Sequence, residues 1–142
     1  MMGGYFSSPS SIIRDFPSFV FKASESQKMI FVVNTSLKMQ GGKMAAQVAH
    51  AALGVYRVAK KSDQGRKALA KYAREGEKMV VVKGQSAEQL EDLCERAKNK
   101  GLFAYVVQDA GRTQVASGSL TVLGLFGCQE DVDELTGTMK LL

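Results

Sequence analysis

Apolar and polar residues alternate in blocks along the chain, and the blocks predict four strands and four helices. Four short apolar runs are typical of strands buried in a sheet, at residues 28–34, 79–83, 102–108 and 121–126. Helical spacing of the apolar residues predicts helices at about 43–61 and 66–74, between Ser86 and Gly101, and at 129–136. Strands that alternate with helices favour an α/β fold, in which a largely parallel or mixed sheet is covered on both faces.

The first 27 residues break this pattern. Residues 1–27 contain both prolines, Pro9 and Pro17, and most of the clustered serines. These residue types favour turns and loops, so we expect an extension that is flexible or loosely docked. The folded domain is then predicted at residues 28–142, a length that suits one domain.

Positive charge is concentrated in one stretch of the chain, whose formal net charge is +5. The stretch between Arg57 and Lys78 contains eight basic residues and three acidic ones. Such an excess attracts phosphate backbones by counterion release, although a solvated helical face is an equally open interpretation. No apolar run approaches the ~18 residues of a membrane span, and no secretory signal is indicated. A mitochondrial leader is left as an alternative.

The cysteines and the histidine do not predict a metal site. Cys94, Cys128 and His50 are far apart, without the spacing of zinc ligands. Cys94 lies in LEDLCERA, where a small apolar core residue is expected. An enzyme with a cysteine nucleophile is therefore disfavoured.

Polar residues recur along the first predicted helix. At ~100° per residue, five residues fall within an arc of roughly 80°: Lys43, Gln47, His50, Gly54 and Arg57. Six apolar residues point in other directions and are predicted to face the sheet: Ala45, Val48, Ala49, Ala52, Leu53 and Tyr56. The polar stripe begins beside a helix N-terminus that follows two glycines, which favours anions. An ordinary exposed face is the alternative.

A second polar group follows the third predicted strand, in QDAGRTQ at residues 108–114. Asp109 and Arg112 are positioned to pair, and Thr113 and Gln114 add hydrogen-bonding groups. Thr121, at the start of the next strand, can reach the same cleft. A purely structural turn is the alternative.

Three motifs together resemble the archaeal and eukaryotic, or type 2, peptidyl-tRNA hydrolase family. They are GGKMAAQVAHAALG, QDAGRTQ and GSLTVLG, within a collinear similarity over roughly residues 28–142. The resemblance implies a three-layer α/β/α fold with a small four-stranded mixed sheet. It also implies hydrolysis of the ester between peptide and tRNA, which releases free tRNA for reuse, with no metal and no organic cofactor.

The resemblance also suggests roles for particular residues. The family's lysine, glutamine and histidine fall on Lys43, Gln47 and His50, its aspartate and arginine on Asp109 and Arg112, and its threonines on Thr113 and Thr121. We expect Asp109 to orient or deprotonate water, Lys43 to stabilise the oxyanion or a nearby phosphate, and Thr121 to hydrogen-bond the water or the carbonyl.

The remaining candidates are assigned to orientation and binding. His50 is either a rival base or a helix residue that orients its neighbours. Gln47 and Arg112 are expected to position the substrate, with Thr113 and Gln114 beside them. Arg57 and Lys60 are expected to contact the tRNA backbone.

Partners and location complete the expectations. We expect peptidyl-tRNA as the partner and no membrane anchor, and a homodimer is left open. The expected location is the cytoplasm, with mitochondrial association as the alternative. Gln40 and Gly41 stand where the family often has glycine and lysine, and Leu120 where it commonly has glutamine. These departures keep open a non-catalytic RNA-binding or protein-interaction module on the same fold.

Overall fold

The sheet at the centre of the fold has four strands in the order β2-β1-β4-β3. The computed structural model describes residues 21–110 and 118–142. The strands are β1 (Gln27–Asn34), β2 (Met79–Gly84), β3 (Phe103–Gln108) and β4 (Leu120–Cys128). β1 is parallel to β2, and β4 is antiparallel to both β1 and β3. This arrangement confirms the predicted mixed four-stranded sheet.

Two pairs of helices cover the two faces of the sheet. They are α1 (Gly41–Lys60) and α2 (Asp63–Arg74) on one face, and α3 (Ala87–Asn99) and α4 (Gln129–Thr136) on the other. One apolar cluster joins the first face to α1 and α2, and a separate cluster joins the second face to α3 and α4. The three-layer α/β/α architecture is therefore confirmed. Among the described residues, no helix combines the length and apolar character that crossing a bilayer requires.

Helix ends follow the signals in the sequence. The Ser62 and Ser86 hydroxyls cap α2 and α3 by accepting from the backbone N–H of Gly65 and Gln89. The Gln89 side chain in turn accepts from the N–H of Gln85, one residue before the Ser86 cap. After α3, Gly101 has a φ of 80°, a left-handed conformation that suits glycine.

The expected orientation of α1 was wrong in part, since Val48 and Ala52 pack against the core as predicted but Ala45 and Ala49 are exposed. Leu53 and Tyr56, predicted to face the sheet, are 55% and 45% exposed, whereas Gln47 and Gly54 are buried. The reason is the close approach of the helix to β3 and β4. A Cβ on Gly54 would lie 2.1 Å from the Tyr105 ring, so only glycine leaves room for that ring. The polar stripe therefore lies on the sheet-facing side of α1 from Lys43 to Gly54, and its last member, Arg57, is exposed.

The carboxyl ends of the three parallel strands meet at one edge of the sheet, which we call the site edge. Asn34, Gly84 and Gln108 end β1, β2 and β3 there, and β4 begins there. After β1, a short 3-10 turn at Thr35–Leu37 and residues 38–40 lead into α1. The N-terminus of α1 and the residues after β3 are therefore brought to the same edge, where ligands bind in open α/β sheets.

The residues before β1 are partly described. Phe21 packs against the cluster under α1 and α2, and its N–H donates to Gln64 Oε1 at 2.9 Å. Residues 1–20 lie outside the described residues, so the extension at 1–27 stays a prediction.

Candidate active site

A buried ion pair joins the first turn of α1 to the end of β3. Lys43 Nζ lies 3.0 Å from Asp109 Oδ1, and the two side chains are 6% and 0% exposed. Desolvating two charges is unfavourable unless they pair closely, so this contact needs both segments in place. Of the two side chains, that of Lys43 is the more accessible.

A second buried polar contact lies one turn further along α1. The Thr121 hydroxyl donates to Gln47 Oε1 at 2.5 Å, with the Val107 carbonyl as a second acceptor at 3.3 Å. Both Gln47 and Thr121 are 0% exposed. Each polar group therefore meets a partner, as burial requires.

A β-bulge in β4 directs the Thr121 side chain towards α1. Val107 pairs with Val122 and Gln108 pairs with Leu120, so Thr121 is the extra residue of β4 at this point. Regular alternation would send the Thr121 side chain to the face opposite that of Val122. The bulge turns it towards α1 instead, a common function of bulges beside active sites.

Backbone and side-chain hydrogen bonds hold the ends of the β3–β4 connection together. The N–H of Asp109 donates to the Ser119 carbonyl at 2.9 Å, and the N–H of Gly118 donates to the Asp109 carbonyl at 2.8 Å. The buried Asn34 side chain donates to the Leu120 carbonyl at 3.0 Å. Asn34 was missed in the sequence, although a polar residue that ends an apolar strand is a usable signal.

The other predicted site residues fall in different places. His50 is partly buried one turn after Gln47, and within the described residues it makes no hydrogen bond or ion pair. Arg57 and Lys60 are exposed on the last turns of α1. They lie about 21 and 26 Å along the helix from Lys43, at 1.5 Å per residue. Arg112, Thr113 and Gln114 lie outside the described residues.

Neither thiol is suited to nucleophilic chemistry. Both cysteines are buried. Burial raises the pKa of Cys94, and burial together with a hydrogen bond to Glu25 raises the pKa of Cys128. A raised pKa lowers the fraction of reactive thiolate. Within residues 21–110 and 118–142, no group of three or more histidine, cysteine or acidic side chains could hold a metal ion.

The arrangement suits the stabilisation of developing negative charge. The Lys43 ammonium is held in place by Asp109 in a poorly hydrated position at the N-terminus of α1, whose first turn has no acidic residue. Fixed charges and dipoles in such a position stabilise an oxyanion without reorganisation.

Comparisons with known proteins agree on one family. Residues 27–142 match the family model described as peptidyl-tRNA hydrolase PTH2. A probable peptidyl-tRNA hydrolase 2 of Caenorhabditis elegans is 57% identical over 120 residues, which cover 84% of this chain and 38% of that protein. A peptidyl-tRNA hydrolase of Methanopyrus kandleri is 42% identical over 81% of this chain and 97% of its own length. A mitochondrial peptidyl-tRNA hydrolase 2 of Mus musculus is 44% identical over 80% of this chain and 62% of its own length.

Proposed function

The chain belongs to the PTH2 family of peptidyl-tRNA hydrolases, and on that premise we propose that it hydrolyses the ester between a peptide and the terminal ribose of its tRNA. The observation that carries the proposal is the buried pair of Lys43 and Asp109 at the site edge. Buried ionisable groups from distant segments, gathered at the ligand-binding edge of an α/β sheet, are typical of active sites.

The proposed reaction adds water to the ester carbonyl and expels the ribose hydroxyl. The water oxygen bonds to the carbonyl carbon, the carbonyl oxygen becomes an oxyanion, and a proton leaves the water. Collapse of this intermediate breaks the bond between the carbonyl carbon and the ribose oxygen, which takes up the proton that left the water. The second proton of the water is lost to solvent from the new carboxyl group of the peptide. The peptide leaves with a free carboxylate, and the tRNA leaves with its terminal hydroxyl restored.

Lys43 and Asp109 are proposed to take part directly in the reaction. Asp109 orients the water and accepts its proton, and Lys43 stabilises the oxyanion. The ion pair supports this division because it fixes the ammonium 3.0 Å from the carboxylate. Substrate that reaches the more accessible Lys43 side chain is thereby brought close to the base.

Gln47 and Thr121 are assigned positioning roles. Both side chains are fully buried and bonded to each other, so we propose that Thr121 acts through Gln47 and not by direct contact with substrate. His50 orients the neighbouring turn of α1 in this proposal, with the role of rival base as the alternative. Arg112, Thr113 and Gln114 are proposed to contact the acceptor end of the tRNA.

Arg57 and Lys60 are proposed to contact the body of the tRNA. They lie far from Lys43 along α1, which suits a substrate much larger than the protein. We predict that kcat/KM falls steeply as the salt concentration rises, and that this dependence is weaker in a variant that lacks the charges of Arg57 and Lys60.

The decisive measurement is release of free tRNA from an N-blocked aminoacyl-tRNA by the purified protein in EDTA. We expect wild-type release and a loss of at least about 100-fold in kcat for Asp109→Asn, the order of magnitude of a lost general base. Asp63→Asn is the matched control, since Asp63 pairs with Arg66 on the exposed start of α2.

Two outcomes would contradict the proposal. Near-normal turnover by Asp109→Asn, with intact folding, would remove Asp109 from the chemistry. Tight tRNA binding without any release by the wild type would favour the non-catalytic RNA-binding module.

Location and assembly are part of the same proposal. We propose action in the cytoplasm, with mitochondrial association as the alternative because the mouse relative carries that location in its name. A homodimer stays a prediction that light scattering of the purified protein would test.

A further inference from the structure

The last residues of the chain add a short segment to the outer edge of β2. Val82 and Leu141 form an antiparallel bridge. The Lys83 N–H donates to the Lys140 carbonyl at 2.8 Å, and the Leu142 N–H donates to the Val81 carbonyl at 3.0 Å. These two bonds flank the bridge, so Lys83 and Lys140 stand directly opposite each other.

Both lysines project from the same face of the sheet. Val82 is buried in the cluster beneath α3 and α4. Neighbouring residues of a strand point to opposite faces, so Lys83 and Lys140 project on the face that carries α1. Both residues are exposed, and within residues 21–110 and 118–142 neither forms an ion pair.

Two like charges directly opposite each other on paired strands are destabilising. Other lysines of the described chain, such as Lys28 and Lys71, have a carboxylate beside them. Lys83 and Lys140 therefore form a local excess of positive charge that a bound anion would relieve.

The pair lies in the same row of the sheet as the candidate active site. Lys83 is in register with Val33, Val33 with Val122, and Val122 with Val107. Asp109 follows Val107 by two residues, at the same edge. Three strand spacings and two residues of rise place Lys83 roughly 16 Å from Asp109 across the sheet.

We propose that Lys83 and Lys140 together form a contact for a backbone phosphate near the acceptor end of the tRNA. This inference rests on the proposed function, since it takes tRNA as the ligand. A phosphate has the negative charge that two lysines on facing residues attract, and roughly 16 Å from Asp109 corresponds to a few nucleotides of chain. The exposed N-terminus of α1, with Gly41 and Gly42 open to solvent, lies at the same edge and adds a favourable field.

The test removes the two charges and measures substrate binding. We expect Lys83→Gln/Lys140→Gln to raise KM for peptidyl-tRNA about 5- to 20-fold with kcat unchanged. The slope of log kcat/KM against log salt should become shallower by about 0.7–0.9 for each phosphate contact that is lost. An N-blocked aminoacyl ester of adenosine, which has no phosphate, should show no difference from wild type.

Stability provides an independent readout. Because the two lysines repel each other, the double variant should keep or slightly raise the melting temperature at low salt. Lys100→Gln is the control for net charge, because Lys100 pairs with Glu134 on the opposite face. It should leave KM and the salt dependence unchanged.

Several results would overturn the inference. An unchanged KM and salt slope would show that the pair does not contact tRNA, and a joint fall in kcat and melting temperature would indicate a structural role. Failure of the proposed function is distinguishable, since it would abolish wild-type turnover. In that event the Kd for uncharged tRNA, measured by fluorescence titration of wild type and double variant, still tests the pair.

Discussion

The site edge differs from the opposite edge of the sheet, where β1, β2 and β3 begin and β4 ends, in how its polar groups are paired. At the site edge, buried polar contacts join residues far apart in sequence, as Lys43 with Asp109 and Gln47 with Thr121. At the opposite edge the ion pairs are more exposed: Asp63 with Arg66 and Lys71 with Glu75 link neighbours on one helix, and Lys28 with Asp133 joins β1 to α4 with its carboxylate 41% exposed. Local, exposed pairs are replaced by water at little cost, whereas distant, buried ones require the whole fold. The edge that keeps a charged pair away from water is therefore the edge of the candidate active site.

The largest difference between the two edges is expected when one partner of the buried pair is removed. Asp109→Asn should lower the free energy of unfolding by about 3–5 kcal/mol, because the Lys43 ammonium is left buried without its carboxylate. Urea unfolding of Asp109→Asn, Lys43→Met and the double variant measures the coupling. The double variant should recover much of the loss. Simple additivity of the two single variants would mean that the ion pair does not couple the segments.

The next effect concerns the close approach of α1 to the sheet, on which the site edge depends. Gly54→Ala should lower the free energy of unfolding by about 1–3 kcal/mol, because the new methyl group overlaps the Tyr105 ring. It should also lower turnover by shifting Lys43 relative to Asp109.

Thermal melts of Gly54→Ala need a matched glycine control. In Gly42→Ala the new methyl group meets nothing within 4 Å, so stability should stay unchanged or rise slightly. Equal losses of stability in the two variants would show that the effect of Gly54→Ala does not come from overlap with the Tyr105 ring.

A smaller effect belongs to the opposite edge, where Tyr72 donates to the Lys78 carbonyl. Burial, with a smaller contribution from Glu77, raises the pKa of Tyr72 from 10.0 to about 12. Between these values the unfolded chain loses the phenolic proton while the folded protein keeps it, so stability falls as pH rises. The loss should reach up to about 2 kcal/mol by pH 12 and be absent below pH 10.

Unfolding between pH 9 and 12 measures this dependence, with Tyr72→Phe as the control. The variant lacks the phenolic proton and should have a correspondingly shallower profile in this range. Parallel profiles for the two proteins would contradict the raised pKa.

The smallest effect is expected for the exposed ion pairs. Asp63→Asn, the same chemical change as at Asp109, should shift the melting temperature by no more than about 1–2 °C. Added salt should reduce even this difference. A shift comparable to that of Asp109→Asn would remove the distinction between the two edges.

Much of the fold could be predicted because its signals are local. The apolar runs of β1 and β2 and the cap at Ser86 act within a few residues, and the predicted bounds differ from the observed ones by three residues at most. The largest difference is at α2, whose cap at Ser62 was missed. The candidate residues Lys43, Gln47, Asp109 and Thr121 were also named from motifs. Their meeting at one edge follows from the strand order, which a single strand does not encode.

The sequence by itself determined the element types, the helix ends and the residue chemistry of the site, since these depend on neighbours along the chain. Only the tertiary structure decided which side of α1 is buried, because the space that Gly54 leaves is filled by Tyr105 from another segment. It likewise decided the bulge that turns Thr121 to Gln47 and the bridge that sets Lys140 opposite Lys83. Such contacts join distant segments, and their energy exists only when the sheet has formed.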